Sequence, residues 1–238
     1  MPVSEDWPGD YRRRPPISSP TYAVRAPLAA WLREEASRAA ARHGRYRVLD
    51  VGCGVKPYYP FFEPHASEYV GVDVVENPAA DLQGAVESLP VDDGSFDLVL
   101  CVQVLEHAED PARGVRELRR VVRPGGTVLA STHGVQVYHP APVDLWRWTH
   151  AGLDRLFREN GDWSSLSVRP SSGTTACLGM LVSIYADLLA RRLHAPALGR
   201  ALVAGLNRGA AALDRRSTDL SEPRSGSLIA NYHVVAEA

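Results

Sequence analysis

The run Val48-Leu49-Asp50-Val51-Gly52-Cys53-Gly54 constrains this chain more than any other stretch. Val48, Leu49 and Val51 are apolar, as the end of a buried strand requires. Gly52 and Gly54 then let the backbone turn sharply and leave room for a ligand to lie against it. Asp50 puts a carboxylate into a run that should otherwise be dry. A buried carboxylate needs a cationic or hydrogen-bonding partner, and a bound ligand could supply one. A second apolar run, Tyr69-Val70-Gly71-Val72, ends in Asp73, nineteen residues past Gly54. Strand, glycine loop, helix, strand and acid is the layout of a nucleotide-binding βαβ unit, with the acid placed to bind ribose hydroxyls.

Composition narrows the class. The chain has 238 residues, 45% hydrophobic and 23% charged, which is ordinary for a soluble globular domain with an elaboration. A net charge of −2 gives no electrostatic footprint for nucleic acid or for an anionic membrane. The basic triplet Arg12-Arg13-Arg14 sits in a Pro-rich leader and reads as a solvated tail. Cys53, Cys101 and Cys177 are odd in number and widely spaced, so they make neither a disulfide framework nor a zinc site; a reducing cytoplasm fits best. The start Met1-Pro2-Val3-Ser4-Glu5-Asp6 lacks the basic and apolar regions of a signal peptide. The most apolar later stretch, residues 176–190, is shorter than the ~20 residues that span a bilayer, and it contains Asp187. The expectation is a soluble cytoplasmic protein with a small-molecule substrate and no nucleic-acid or membrane partner.

Along the chain, residues 1–24 read as a loosely held arm, and residues 25–238 as one domain. Leu28, Trp31, Leu32, Ala36 and Ala39 recur at helical spacing over residues 26–43, and Gly44 is a stop. Residues 46–51 are the first strand, and Pro57 fits the first turn of a short helix after the glycine loop. Residues 80–86 read as a third strand, 96–102 as a nearly continuous apolar fourth strand, and 127–131 as a fifth. Asp110 is a natural N-cap for a helix over residues 111–122, and Thr149 for one reaching residue 159. Residues 163–169 are the sixth strand. Two Ala- and Leu-rich helices divided near Pro196 form an insertion over residues 174–214, before a last strand at residues 227–236. The alternation predicts an α/β fold: a seven-stranded, mainly parallel sheet with helices on both faces and a helical insertion before the last strand.

With these residues in view, the chain resembles the class I S-adenosylmethionine-dependent methyltransferases of the type 11-like family, over roughly residues 45–170 and the final strand. Leu49-Asp50-Val51-Gly52-Cys53-Gly54 is similar to their first motif, and Val70-Gly71-Val72-Asp73 to their ribose-binding acid. Leu89-Pro90 through Ser95-Phe96-Asp97, Val104-Leu105-Glu106-His107, Asp110-Pro111, Glu117-Leu118-Arg119-Arg120-Val121 and Arg123-Pro124-Gly125-Gly126 resemble the motifs that follow, in the same order. The resemblance implies a Rossmann-like fold and S-adenosylmethionine as cofactor, with S-adenosylhomocysteine as product. It also implies cofactor contacts from Asp50, Gly52, Cys53, Gly54, Asp73, Gln103 and His107. Where many relatives place an acid for the adenine amine, this chain has Ala85; contact there falls to the backbone around residues 86–88, to Glu87, Ser88 and Leu89, or to Asp81. In an NAD-binding loop the third glycine would stand where this chain has Pro57, which argues against an oxidoreductase.

A hydroxyl acceptor needs its proton removed, and the candidate bases are His107, His133 and His139. Each can equally anchor a loop. His133 follows the fifth strand, at the edge where open α/β sheets bind ligands. His139 lies beside Asp144 and Arg147, and these three with Trp148 are the candidate acceptor contacts. An ion pair holding the loop and aromatic core packing are the structural alternatives. This His-Pro and Asp-x-x-Arg-x-Thr segment resembles relatives that modify sugars, glycans or natural products, so the expected acceptor is a hydroxyl of such a molecule; N- or C-methylation and non-catalytic cofactor binding stay open. No His, Asp or Glu pair has ligand spacing, so no metal is expected. The insertion reads as a pocket wall, with small residues suited also to a homodimer contact.

Overall fold

In the computed structural model, residues 7–140, 142–217 and 223–238 are described. Strand β1 (Tyr46–Val51) lies between β2 (Ala66–Asp73) and β4 (Phe96–Val102) and runs parallel to both. Helices cover both faces of these strands, so Val48, Leu49, Val51, Leu98, Val99, Leu100 and Cys101 are all buried, as continuous apolar runs in a parallel sheet should be. Outward from them lie β3 (Leu82–Gln83), parallel to β2, and β5 (Val122–His133), parallel to β4. Strands β6 (Ser165–Pro170) and β7 (Asn231–Glu237) complete the sheet, with β7 antiparallel to both β5 and β6. The order β3-β2-β1-β4-β5-β7-β6 reverses direction between β1 and β4. Such a switch point opens a crevice at the carboxyl ends of the strands, where ligands bind.

One face packs α4 (Pro111–Val121) and α5 (His150–Asn160) through Val115, Leu118, Val121, Leu153 and Phe157. The other packs α2 (Tyr22–His43) and α3 (Tyr59–Phe62) through Leu28, Leu32, Ala36 and Phe62. The two predicted caps form: Asp110 accepts from the Arg113 N–H at 2.9 Å, and Thr149 from the Gly152 N–H at 3.1 Å.

Several boundaries differ from expectation, each for a local reason. β3 keeps only two residues: the Gly84 N–H makes the last bond to β2, at the Asp73 carbonyl, and Ala85 and Ser88 then close a tight turn. β5 starts at Val122 and runs through Pro124-Gly125-Gly126, where Gly125 takes a φ of 76°. β7 starts at Asn231, since the Ile229 and Ala230 carbonyls accept instead from Val135 and Gly134. Pro57 lies before α3, and Pro60 occupies its first turn.

The amino-terminal stretch is the larger correction. From Trp7 onward it is fastened, not loose. Helix α1 (Asp10–Arg13) brings the Arg13 guanidinium to the carbonyls of Trp7, Pro8 and Pro57 at 2.7, 2.8 and 2.6 Å. Trp7 stacks on Tyr59 at 4.6 Å and donates its indole N–H to the Lys56 carbonyl. Of the basic triplet, Arg12 and Arg14 are exposed while Arg13 is buried. Arg13→Ala should therefore lower stability by about 3 kcal/mol, since it strips charge-assisted donors from partly buried carbonyls. Urea titration checks this; a change below a few tenths would show that the segment is not anchored there.

The insertion forms α6 (Thr174–Arg192) and α7 (Pro196–Ser217), divided near Pro196 as expected. Cys177 and Met180 of α6 pack against Ala23, Val24 and Ala230. Asp214 of α7 accepts from the Gly173, Thr175 and Ala176 N–H groups and so caps α6.

Candidate active site

The glycine loop is built for close approach. Gly52 and Gly54 take φ of 65° and 52°, which a side chain would strain. A Cβ on Gly52 would stand 2.4 Å from Val104 Cγ2, whereas one on Gly54 would meet nothing within 4 Å. The loop is thus pressed against the turn after β4 on one side and borders open space on the other. The Gly54 N–H donates to Asp73 Oδ2 at 2.9 Å, so the acid ending β2 faces the loop ending β1. Asp50 has a partner within the chain: the Tyr69 hydroxyl donates to it at 2.7 Å. Burial lifts the Asp50 carboxyl to about 7, with the Tyr69 hydrogen bond opposing the rise.

Cys53 points into the protein against Gly71, and burial pushes its thiol up to about 12, so its backbone is the part available to a ligand. Lys56 reaches Asp81 at 2.5 Å, and Asp81 also accepts from the Gly71 N–H at 2.7 Å. Asp81 is therefore engaged in tying the loop to β2. Glu87 leans toward α4, accepting from the Asp110 N–H at 3.3 Å. Leu89 is buried, with its N–H on Glu117 at 2.9 Å. Ser88 is exposed.

Gln103, just beyond β4, takes a φ of 59°. Its amide donates to Ser131 Oγ at 3.0 Å and Asn231 Oδ1 at 2.9 Å, which fixes the side chain across the ends of β5 and β7. A 3-10 turn, Leu105–His107, follows. There Glu106 is wholly buried, accepts from Thr132 Oγ1 at 2.8 Å and lies 3.3 Å from His133 Nε2. Burial raises its carboxyl to about 7.

The structure brings all three candidate histidines together. The His107 and His133 rings each meet the His139 ring edge-on, with centroids 5.3 Å apart. Burial pulls the His133 imidazole down to about 3 and lowers that of His107, whose Nδ1 meets the Val143 carbonyl. His139 is held by its backbone N–H on Asp144 at 3.0 Å, with Nε2 3.9 Å from the second carboxylate oxygen. Arg147 grips that carboxylate through two nitrogens at 2.5 and 2.6 Å and holds it well below the usual carboxylate range. Trp148 packs on the main core and stacks with Trp146 at 5.7 Å, and the Trp146 indole donates to the Ala108 carbonyl. Among the described residues, no group of three His, Cys, Asp or Glu side chains has the geometry of a metal site.

Glu106 was not singled out by sequence reasoning. Its signal was a lone acid in an otherwise apolar turn, Val104-Leu105-Glu106-His107. Its raised carboxyl makes a pH prediction. The folded state holds the proton more tightly than the unfolded chain, so this stabilisation is full below about pH 4.5 and is lost as pH rises through about 7. Glu106→Gln should flatten that decline relative to wild type in melting temperatures measured from pH 4.5 to 7.5. Parallel curves would contradict the buried, protonated state.

A family profile described as a methyltransferase domain matches residues 49–130. An uncharacterized methyltransferase of Bacillus subtilis, YcgJ, is 33% identical over 112 residues, covering 40% of this chain and 44% of the relative. A ubiquinone biosynthesis O-methyltransferase of Pseudomonas aeruginosa is 32% identical over 120 residues, covering 43% of this chain and 48% of its own length. The chain thus spans about half the length of the curated relatives it matches. In fold, it superposes on the YcgJ crystal structure with a TM-score of 0.51 at 20% identity, over 87% of this chain and 98% of the other. The cyclase SpnF gives 0.52 at 19%, over 88% and 82%. Sheet order and loop geometry agree with the profile match: residues 49–130 match a methyltransferase domain, and the chain has the Rossmann-like fold of the YcgJ structure.

Proposed function

We propose that this protein transfers a methyl group from S-adenosylmethionine to a hydroxyl of a small molecule, a sugar or natural product. The observation that supports this most is one continuous edge. The glycine loop faces Asp73 and touches Val104, and Val104 leads directly into the turn that carries Glu106 and His107 beside His133 and His139. The open space at Gly54 and the acid opposite it suit the methionine and ribose parts of the cofactor. When bound, the cofactor supplies an activated methyl carbon on a sulfonium leaving group.

What remains for the protein is mainly positioning, which can supply ~7–11 kcal/mol of barrier lowering. In this reading Asp73 binds the ribose hydroxyls, Gly52 and Gly54 admit the methionyl part, and Gln103 is fixed beside it. His139 takes the acceptor's proton at an imidazole nitrogen, and the Asp144 carboxylate nearby stabilises the cation that forms. Glu106 and His133 hold the wall behind it. The Trp146–Trp148 stack offers a flat surface at the same edge. The P. aeruginosa relative is named an O-methyltransferase, which favours oxygen over nitrogen or carbon. The three cysteines are free and buried, and we place the activity in the cytoplasm.

The test is release of S-adenosylhomocysteine with a panel of hydroxylated small molecules and a matched panel of amines. Turnover with hydroxyl acceptors is expected. Turnover with amines alone would make the protein an N-methyltransferase. Cofactor binding without turnover on any acceptor would favour a non-catalytic role.

A further inference from the structure

Among the described residues, the outer side of the α6–α7 hairpin gathers many of the exposed large hydrophobic side chains. On α6, Leu178, Val182, Tyr185 and Leu189 follow at spacings of four, three and four, one stripe of a helix that Leu193 at its C-cap continues. On α7, Leu198, Leu202 and Leu213 form a second stripe, with the bare backbone of Gly205 and Gly209 between them. Gly179 lies against Ala210, and Gly199 against Ala190, so the helices run side by side. Their buried residues, Cys177, Met180 and Ser183 on one and Val203, Asn207 and Ala210 on the other, face inward. Helical spacing then puts both exposed stripes on the same outer side. Tyr185, Leu193 and Leu198 are 65, 68 and 70% exposed.

Charge decides what covers this face. Residues 174–214 contain only two acids, Asp187 and Asp214. Asp187 is taken by Arg191 at 2.7 Å, and Asp214 is turned inward on the start of α6. Arg192 and Arg208 are exposed beside the stripes and have no carboxylate partner among the described residues. An apolar face rimmed by unpaired arginines matches the interface of an anionic bilayer, where leucines enter the acyl boundary and guanidinium groups reach the headgroups. A second copy seated face to face would set arginines against arginines and offer no carboxylate to meet them. Nor does α6 cross a bilayer: it is apolar enough over its 19 residues, but one side is buried in protein.

We infer that the outer face of the α6–α7 hairpin docks on an anionic lipid surface. This departs from the expectation of no membrane partner, which rested on a whole-chain charge of −2. The hairpin begins at the sheet edge that carries the site: α6 follows the end of β6 and packs on Ala230, next to Asn231 that holds Gln103. Docking stands independently of the methyl-transfer reading.

Vesicle co-sedimentation of the full chain tests it, with phosphatidylcholine mixed with phosphatidylglycerol and with phosphatidylcholine alone. Binding to the mixed vesicles is expected, at least tenfold stronger than to neutral ones and weakened by salt. Arg192→Glu with Arg208→Glu should lower it by more than tenfold, at roughly fivefold per basic residue near such a surface. Leu189→Gln with Leu198→Gln should lower it comparably. In both variants S-adenosylhomocysteine affinity should match wild type, which shows that the fold is kept. Absence of binding to mixed vesicles, or binding that both variants retain, would overturn the proposal. So would a dimer in sedimentation velocity that the leucine variant dissolves, since that assigns the face to a second copy.

Discussion

Asp73→Ala is expected to weaken S-adenosylhomocysteine binding by more than tenfold. Asp73 is buried at the end of β2, with the Gly54 N–H at 2.9 Å and the Asn77 amide at 3.4 Å on Oδ2, and the Val75 N–H at 3.3 Å on Oδ1. A carboxylate can accept about four hydrogen bonds, so Oδ1 keeps a place for a ribose hydroxyl. A hydrogen bond to a charged group contributes roughly 1.5–3 kcal/mol, and each 1.4 kcal/mol is about tenfold in affinity. The substitution also frees the Gly54 N–H and loosens the loop. Calorimetry reads the effect directly, and unchanged affinity would reject the ribose role.

The second large effect is expected from His139→Ala: kcat should fall by roughly 10²–10⁴-fold, the range of a general base, while cofactor affinity stays nearly intact. The three histidines form one cluster, but their surroundings differ. His133 is buried and carried down to about 3, and the His107 ring is lowered and tied to Val143. Both are poorly suited to taking up a proton near neutral pH. The His139 side chain is 33% exposed and has the Asp144 carboxylate 3.9 Å from Nε2. Its Nε2 is buried toward that carboxylate with no hydrogen-bond partner, so a cation on the ring has a counter-charge and Nδ1 is the nitrogen through which it would meet an acceptor. Asp144, anchored by Arg147, acts through His139, so Asp144→Asn should lower kcat more than it raises KM. Full activity in His139→Ala would move the base to His107 or His133.

The sequence was most legible where its signals are local. The glycine loop, the β1 and β4 runs, and the caps at Asp110 and Thr149 are written within a few neighbouring residues, and the structure forms them as read. What could not be read depends on partners far along the chain. Tyr69 supplies the donor for Asp50 from 19 residues away, Thr132 reaches Glu106 across 26, and Arg13 reaches Pro57 across 44. The same distance effect changed the reading of Asp81 and Glu87, which looked available for adenine but are engaged with Lys56, Gly71 and Asp110. The net charge was legible but misleading. Averaged over the whole chain it conceals a hairpin whose two acids are occupied and whose outer arginines, Arg192 and Arg208, are not.

The central claim is that the loop after β1 and the acid after β2 form a site for S-adenosylmethionine. Isothermal calorimetry of the full chain with S-adenosylmethionine, S-adenosylhomocysteine and NAD tests it most directly. Saturable one-to-one binding of the first two is expected, and none of NAD. Heat from NAD alone, or from none of the three, would contradict it.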